Sequence, residues 1–325
     1  MTTSTEALTP FFDNLIDDFS IWQHTDGQKV IEKEGYALDD AARGLIVCLA
    51  LDKIREAEVL FRYIKNSQIK NGFYGFATKD RQYIAYPASE DATGQVIWAM
   101  GYASSIGFHE PEARELTNKV SSRINDFQFV RGYAYALLGA LYIDETMSKT
   151  LANKLINFFK SASDQWYWPE TEITYGNGII PYALVRYATI LKDKEAANIG
   201  LKALNFLDNK CRKDRLLGPI GNEGWLKKQN KKIPTFSQQP IDSAYMIWAW
   251  LAAYTYHKNE EFLNRAEEWM DWFNGYNILE VPMYNSKTLK AYDGIDEEGI
   301  NYHSGAEANI TLLLSLQMLK NKITL

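Results

Sequence analysis

Six times along the chain, a short polar, acidic or aromatic segment gives way to a helix-length run that is apolar on nearly every side. The clearest case is Ser89-Glu90-Asp91-Ala92-Thr93-Gly94-Gln95-Val96-Ile97-Trp98-Ala99-Met100-Gly101. A helix that is hydrophobic all round is buried all round. Six such helices need one another and a second, amphipathic layer outside them. Whatever precedes them collects at one end of the core, and that end is where chemistry is expected.

Period-3.6 patterning runs almost throughout, and period-two alternation is nearly absent. The inner-type runs begin near residues 40, 91, 128, 177, 240 and 305. Amphipathic partners are expected over 54–69, 110–124, 148–159, 194–207 and 260–273, after the first five inner runs. A helix over 11–23 supplies the sixth partner, with Phe12, Leu15, Ile16, Phe19 and Trp22 on one face. A repeat of about 40–65 residues marks stacked helical hairpins that cannot bury their faces alone. An open array needs polar end caps, and the last run, 305–319, is very apolar. The expectation is an all-α (α/α)6 toroid, a single domain over residues 1–325 closed by its amino-terminal helix.

The 325 residues carry a formal charge of −6, with 35 Lys and Arg against 41 Asp and Glu. The basic residues are scattered, which excludes the basic stripe that nucleic acids and anionic membranes require. No apolar run approaches the length of a membrane span. Residues 1–10 lack the basic and apolar regions of a signal peptide, so a cytoplasmic location is expected. Cys48 and Cys211 make no metal or redox spacing, so neither a metal nor another cofactor is expected. Cys48 reads as packing.

With the inner helices parallel, their polar openings share one mouth. It gathers acids (Asp39, Asp40, Glu90, Asp91, Glu170, Glu172, Asp242, Glu307) and amides (Asn177, Asn222, Gln238, Gln239, Asn301). With them come Arg43 and Arg131, the rings Trp166, Trp168, Tyr175, Trp225 and Tyr302, and His303. Acids among flat rings suit carbohydrate: rings stack on the C–H faces of sugars, amides and carboxylates bind hydroxyls, and two carboxyls share acid–base chemistry. Asp40, Asp91 and Glu307 are the candidate catalytic acids, with roles left open; the others, apart from Asp39, Glu170, Glu172 and Asn301, are candidate substrate-binding residues. Simpler readings compete. Asp39 and Ser89 suit helix caps, Trp166 and Trp168 suit plugs, Arg131 suits neutralisation of its acidic neighbours, and His303 suits the surface. Gln238 and Gln239 have little packing rationale at the start of an apolar helix.

Several ordered segments carry a resemblance. They are Asp39-Asp40-Ala41-Ala42-Arg43, Ser89 through Gln95, Trp168-Pro169 through Asn177, Gly221-Asn222-Glu223-Gly224-Trp225, Gln238-Gln239-Pro240-Ile241-Asp242 and Gly305-Ala306-Glu307. Over about residues 36–319 the chain resembles a bacterial family of six-hairpin glycosidase-like proteins, often encoded beside or fused to glycosyltransferases. The resemblance implies the (α/α)6 fold, a glycoside substrate and a possible glycosyltransferase partner. Two positions depart from the family pattern: Gly176 stands where an Asp is usual, and Glu223 where an Arg often follows the Asn. The first departure argues that position 176 is not an essential catalyst, or that this member is inactive.

The leading expectation is a glycoside hydrolase acting on an oligosaccharide or polysaccharide, inverting by fold analogy alone. A non-catalytic glycan-binding or glycosyltransferase-partner protein has the same mouth without a productive carboxyl pair. A polysaccharide lyase or sugar epimerase is the third reading. Epimerases of this shape resemble one another in using paired histidines, and of the four here only His24 and His303 lie near openings.

Overall fold

The apolar runs become helices close to where the sequence places them. In the computed structural model, residues 9–213, 216–230 and 232–325 are described; residues 1–8, read above as part of a leaderless amino terminus, lie outside them. The described helices are α1 (Pro10–Leu15), α2 (Leu38–Ala50), α3 (Ile54–Asn66), α4 (Glu90–Ser105), α5 (Glu110–Ile124) and α6 (Val130–Ile143). They continue with α7 (Glu145–Phe158), α8 (Ile179–Leu191), α9 (Lys194–Cys211), α10 (Pro240–His257), α11 (Glu260–Asn274) and α12 (Ala306–Asn321). The even-numbered helices form the inner ring, each against the next, and α12 returns to α2. The odd-numbered helices from α3 to α11 pack outside the inner helix they follow, and α1 packs on α12. This is the (α/α)6 toroid. Among the described residues, no helix is long and apolar enough to cross a membrane.

The amino-terminal helix is shorter than the expected 11–23. It stops at Leu15 because the Asp17 carboxylate takes the backbone N–H groups of Phe19 and Ser20 at 2.7 and 2.9 Å. Local side-chain acceptors of this kind compete with the helical ladder. Phe19 and Trp22 instead pack on Tyr36.

Side-chain caps are commoner on the outer helices, although α1, α3 and α5 lack one. Asp144, Asp193 and Asn259 cap the outer helices α7, α9 and α11 with their own side chains. In the inner ring Ser89 caps α4, whereas α2, α6, α8, α10 and α12 have no such cap. Asp39 is not a cap, contrary to one sequence reading. It lies within the first turn of α2 and pairs with Arg43. Uncapped helix starts leave N–H donors and positive dipole ends free to serve groups from elsewhere.

The tightest seam joins α4 to α6. Gly94 and Gly101 on α4 face Gly132 and Gly139 on α6, and the backbones touch. A Cβ on Gly101 would sit 2.4 Å from the Gly139 carbonyl oxygen, and one on Gly139 would sit 2.2 Å from that of Ile97. Below the mouth, aromatic rings fill the barrel axis. Trp98, Tyr135, Tyr182, Tyr245 and Trp248 form a connected stack from four inner helices. The Trp248 indole donates to Ser315 of α12 at 2.9 Å. The toroid is a packed core with a floor, not a pore.

The loops at the mouth carry two- and three-residue ribbons, too short for any periodicity to reveal. Gly294–Asp296 pairs with Gly299–Asn301, and Ile295 bridges Gln238. The long segment ahead of α12 is thereby tied to the loop ahead of α10.

Gly139→Ala tests the seam. Intrinsic helix propensity favours Ala by about 1 kcal/mol, but overpacking against backbone costs roughly 1–3 kcal/mol or more. The expected outcome in urea denaturation is net destabilisation; a stabilised variant would show that the seam is slack.

Candidate active site

A cavity of about 630 Å³ opens over the amino-terminal ends of α2, α10 and α12. Its volume lies in the range of small-molecule sites. Asp39, Asp40 and Arg43 come from α2, Glu307 from α12, and Gln239 from the residue before α10; loops add His24, Asp293, Asp296, Asn301 and His303.

Arg43 organises this wall. Only 2% of it is exposed, and its guanidinium pairs with Asp40 at 3.0 Å, Glu307 at 2.7 Å and Asp39 at 3.3 Å. Burial, reinforced by the neighbouring Asp39, pushes the Asp40 carboxyl well above the usual carboxylate range despite the pull of Arg43. Asp293 is also raised by burial, against the Gly305 N–H that donates to it at 2.6 Å. That bond serves the uncapped start of α12 from across the cavity.

A second cluster lies over α4, α6 and the loop before α8. Arg131, largely buried, stands 3.6 Å from Asp91 and 3.2 Å from Glu170, and its guanidinium lies over the Tyr175 ring at 4.7 Å. Tyr175 donates its hydroxyl to Asp91 at 2.8 Å. Burial raises the carboxyl groups of both Asp91 and Glu170. Asp39 adds to the rise at Asp91, and Glu307 adds to that of Asp242. The two clusters therefore feel each other across the mouth, with the Tyr135–Tyr245 hydroxyl pair at 2.9 Å between α6 and α10.

The structure corrects several readings of individual residues. Trp166 and Trp168 are only 5% and 1% exposed. Trp166 packs edge-on to Phe206 of the outer layer and donates to the Glu170 carbonyl, so neither ring presents a face to a ligand. Gln238 does have a packing rationale: its amide accepts from the buried Trp272 indole at 2.8 Å and donates to the Thr235 carbonyl. Glu90 receives the backbone N–H groups of Gln128 and Phe129 just ahead of α6. Asn177 is buried, bonded to Thr174 and facing Asp242. Arg43 and Arg131 are committed to acids and are not free to meet a ligand charge. Gln238 and Asn177, both buried, find their partners within the protein, as buried polar groups generally do.

Other candidates remain accessible. Gln239 and His303 line the cavity. Tyr175, Trp225 and Tyr302 are exposed, Tyr302 set edge-on to Tyr292. Asn222 donates to Gln239 at 2.6 Å and steadies it. Asp293 and Asp296 escaped the sequence reading because they lie in a long loop without a helix-start signal, and only the ribbon pairing brings them to the wall. Among the described residues, no group of three or more His, Cys, Asp or Glu is placed to hold a metal ion.

Asp242 is buried beneath the mouth with one carboxyl oxygen lacking a protein partner. Burial raises its pKa to about 7. The folded state therefore binds this proton more tightly than the unfolded chain does. Stability linked to Asp242 is fully present below the ordinary carboxylate pKa, falls as pH rises towards 7, and is flat above it. The loss is at most on the order of 4 kcal/mol. Asp242→Asn is expected to melt progressively higher than the unsubstituted protein as pH goes from 5 to 8. A Tm difference independent of pH would refute the assignment.

No protein-family model and no curated protein matches the chain by sequence. Solved structures match it by shape. A sugar epimerase from a ruminal bacterium superposes with a TM-score of 0.74 at 13% identity, covering 97% of this chain and 96% of that one. The cellobiose 2-epimerase of Bacillus thermoamylovorans gives 0.74 at 13% identity over 96% of both chains. An α-mannanase of Bacteroides thetaiotaomicron gives 0.66 at 10% identity, covering 98% and 96%. The chain has the six-hairpin (α/α)6 fold of these proteins.

Proposed function

We propose that the protein acts on a carbohydrate held over α2, α10 and α12, and that the reaction is glycoside hydrolysis by Asp40 and Glu307. One observation carries this reading: the first and last inner helices bring these two carboxyl groups onto the same guanidinium at the cavity wall. Burial raises the Asp40 carboxyl well above the usual range, the direction a general acid needs. Glu307 is 40% exposed on its side chain and open to a water molecule. In the proposed reaction Asp40 gives its proton to the glycosidic oxygen. Glu307 takes a proton from the water that attacks the anomeric carbon, and Arg43 holds both groups in register. Asp91, bound by Arg131 and Tyr175, supports substrate from the opposite side of the mouth.

The wall's charge narrows the substrate. Asp39, Asp40, Asp293, Asp296 and Glu307 line the cavity with Arg43, which already pairs with Asp39, Asp40 and Glu307. An anionic sugar would meet repulsion there, so a neutral sugar fits better than a uronate, and a uronate lyase fits poorly.

A second reading has its own observation. His24 and His303 both line the cavity, and both act electrostatically on Asp293 between them. Two imidazoles could pass a proton off and onto the carbon beside an open-chain sugar carbonyl, which is epimerisation. Three of the similar folds are named as epimerases of sugars.

One experiment separates these readings. The protein is incubated in D2O with neutral oligosaccharides and reducing sugars and followed by proton NMR. Hydrolysis gives new reducing ends, and Asp40→Asn and Glu307→Gln each lower the rate about 100-fold or more. Deuterium at C2 with inversion there, lost in His24→Ala and His303→Ala, would replace hydrolysis with epimerisation. Ligand shifts without turnover would leave a glycan-binding protein.

A further inference from the structure

We infer that Trp225 is the platform of a second sugar subsite, continuous with the cavity, so that the substrate is an oligosaccharide rather than a free monosaccharide. This rests on the carbohydrate reading above but not on which reaction occurs. Trp225 is the exposed tryptophan among the described residues, 39% open to solvent. It borders an open depression of about 440 Å³ with Asn230, Thr235, Phe236 and Glu297.

The depression adjoins the cavity through shared backbone. Thr235 and Phe236 wall the depression while Ser237 through Pro240 wall the cavity; Glu297 faces the one and Asp296 the other. A chain leaving the cavity past Gln239 therefore runs onto the Trp225 ring. The charged and amide groups around the ring offer partners for hydroxyls, and the indole face suits the C–H face of a pyranose.

The platform is rigid. Gly221, Asn222 and Glu223 donate their backbone N–H groups to the carbonyls of Pro234, Ser237 and Phe236 at 2.9, 2.8 and 3.1 Å. Only glycine fits at 221, where a Cβ would lie 1.9 Å from the Phe236 carbonyl oxygen. Trp225 itself is held at a φ of 45°, a left-handed conformation that is unfavourable for a bulky residue. Such strain persists only where the surroundings impose it, and it gathers at sites that hold ligands. The Trp225 ring is partly open to water, and among the described residues no aromatic ring stacks on it. Preorganisation of this kind improves binding by removing the ordering cost.

Binding of cello- and manno-oligosaccharides from disaccharide to hexasaccharide, measured by calorimetry and ligand-observed NMR, tests the inference without requiring turnover. Affinity is expected to rise with chain length. Trp225→Ala is expected to lower the long-to-short affinity ratio about ten-fold, while Trp225→Phe keeps most of it. Affinity independent of length, or a ratio unmoved by Trp225→Ala, would overturn the subsite and leave the carbohydrate reading standing. Failure of every sugar in both series to bind would overturn both.

Discussion

Burial of six helices on every side is the constraint from which the rest follows. An apolar inner helix can satisfy its backbone along its length, but not in its first turn, where N–H groups have no helical partner. Because the six inner helices run the same way round the ring, those turns all arrive at one end. Three outer helices, α7, α9 and α11, solve the problem locally, with Asp144, Asp193 and Asn259. Two inner helices draw on groups from elsewhere: Glu90 of α4 serves the start of α6, and Asp293 serves that of α12. The mouth is thus a polar layer imposed by the core beneath it, before any ligand is considered.

Charge within that layer is governed by two arginines. Each is largely buried and permanently cationic, so each must recruit carboxylates. Arg43 takes acids from α2 and α12, and Arg131 takes acids from α4 and the loop before α8. These pairs also staple neighbouring inner helices, including the two ends of the ring. The same burial that makes the pairs necessary raises Asp40, Asp91 and Glu170. Acid groups with altered proton affinity are therefore a by-product of the architecture, and chemistry can draw on them.

Aromatic residues divide by the same logic. Of the five rings that the sequence assigns to the mouth, Trp166 and Trp168 are buried, while Tyr175, Trp225 and Tyr302 are exposed. Trp225 follows a segment, residues 221–223, that is bonded to the loop over 234–237, and its ring stays partly outside. Composition alone does not distinguish a ring that seals a core from one that faces a ligand. The distinction depends on how many other groups reach the same space.

Much of the fold was legible in order of residues. The apolar runs, the acids ahead of them and the absence of an apolar-to-polar end cap determined six hairpins closed in a ring, because hydrophobic periodicity is a local property and burial follows from it directly. The starts of α4 and α8 lie within two residues of those that the pattern gives, and Ser89 is the cap it resembles. The tertiary structure decided what each polar residue does. Gln238 meets Trp272, Glu90 meets the start of α6, and Arg43 meets Glu307 at the far end of the chain. It also brought Asp293 and Asp296 to the cavity through a ribbon with no sequence signature. The reason is physical: a side chain's propensity is set by its neighbours in sequence, whereas its partners, burial and proton affinity are set by residues that only the closed ring brings near.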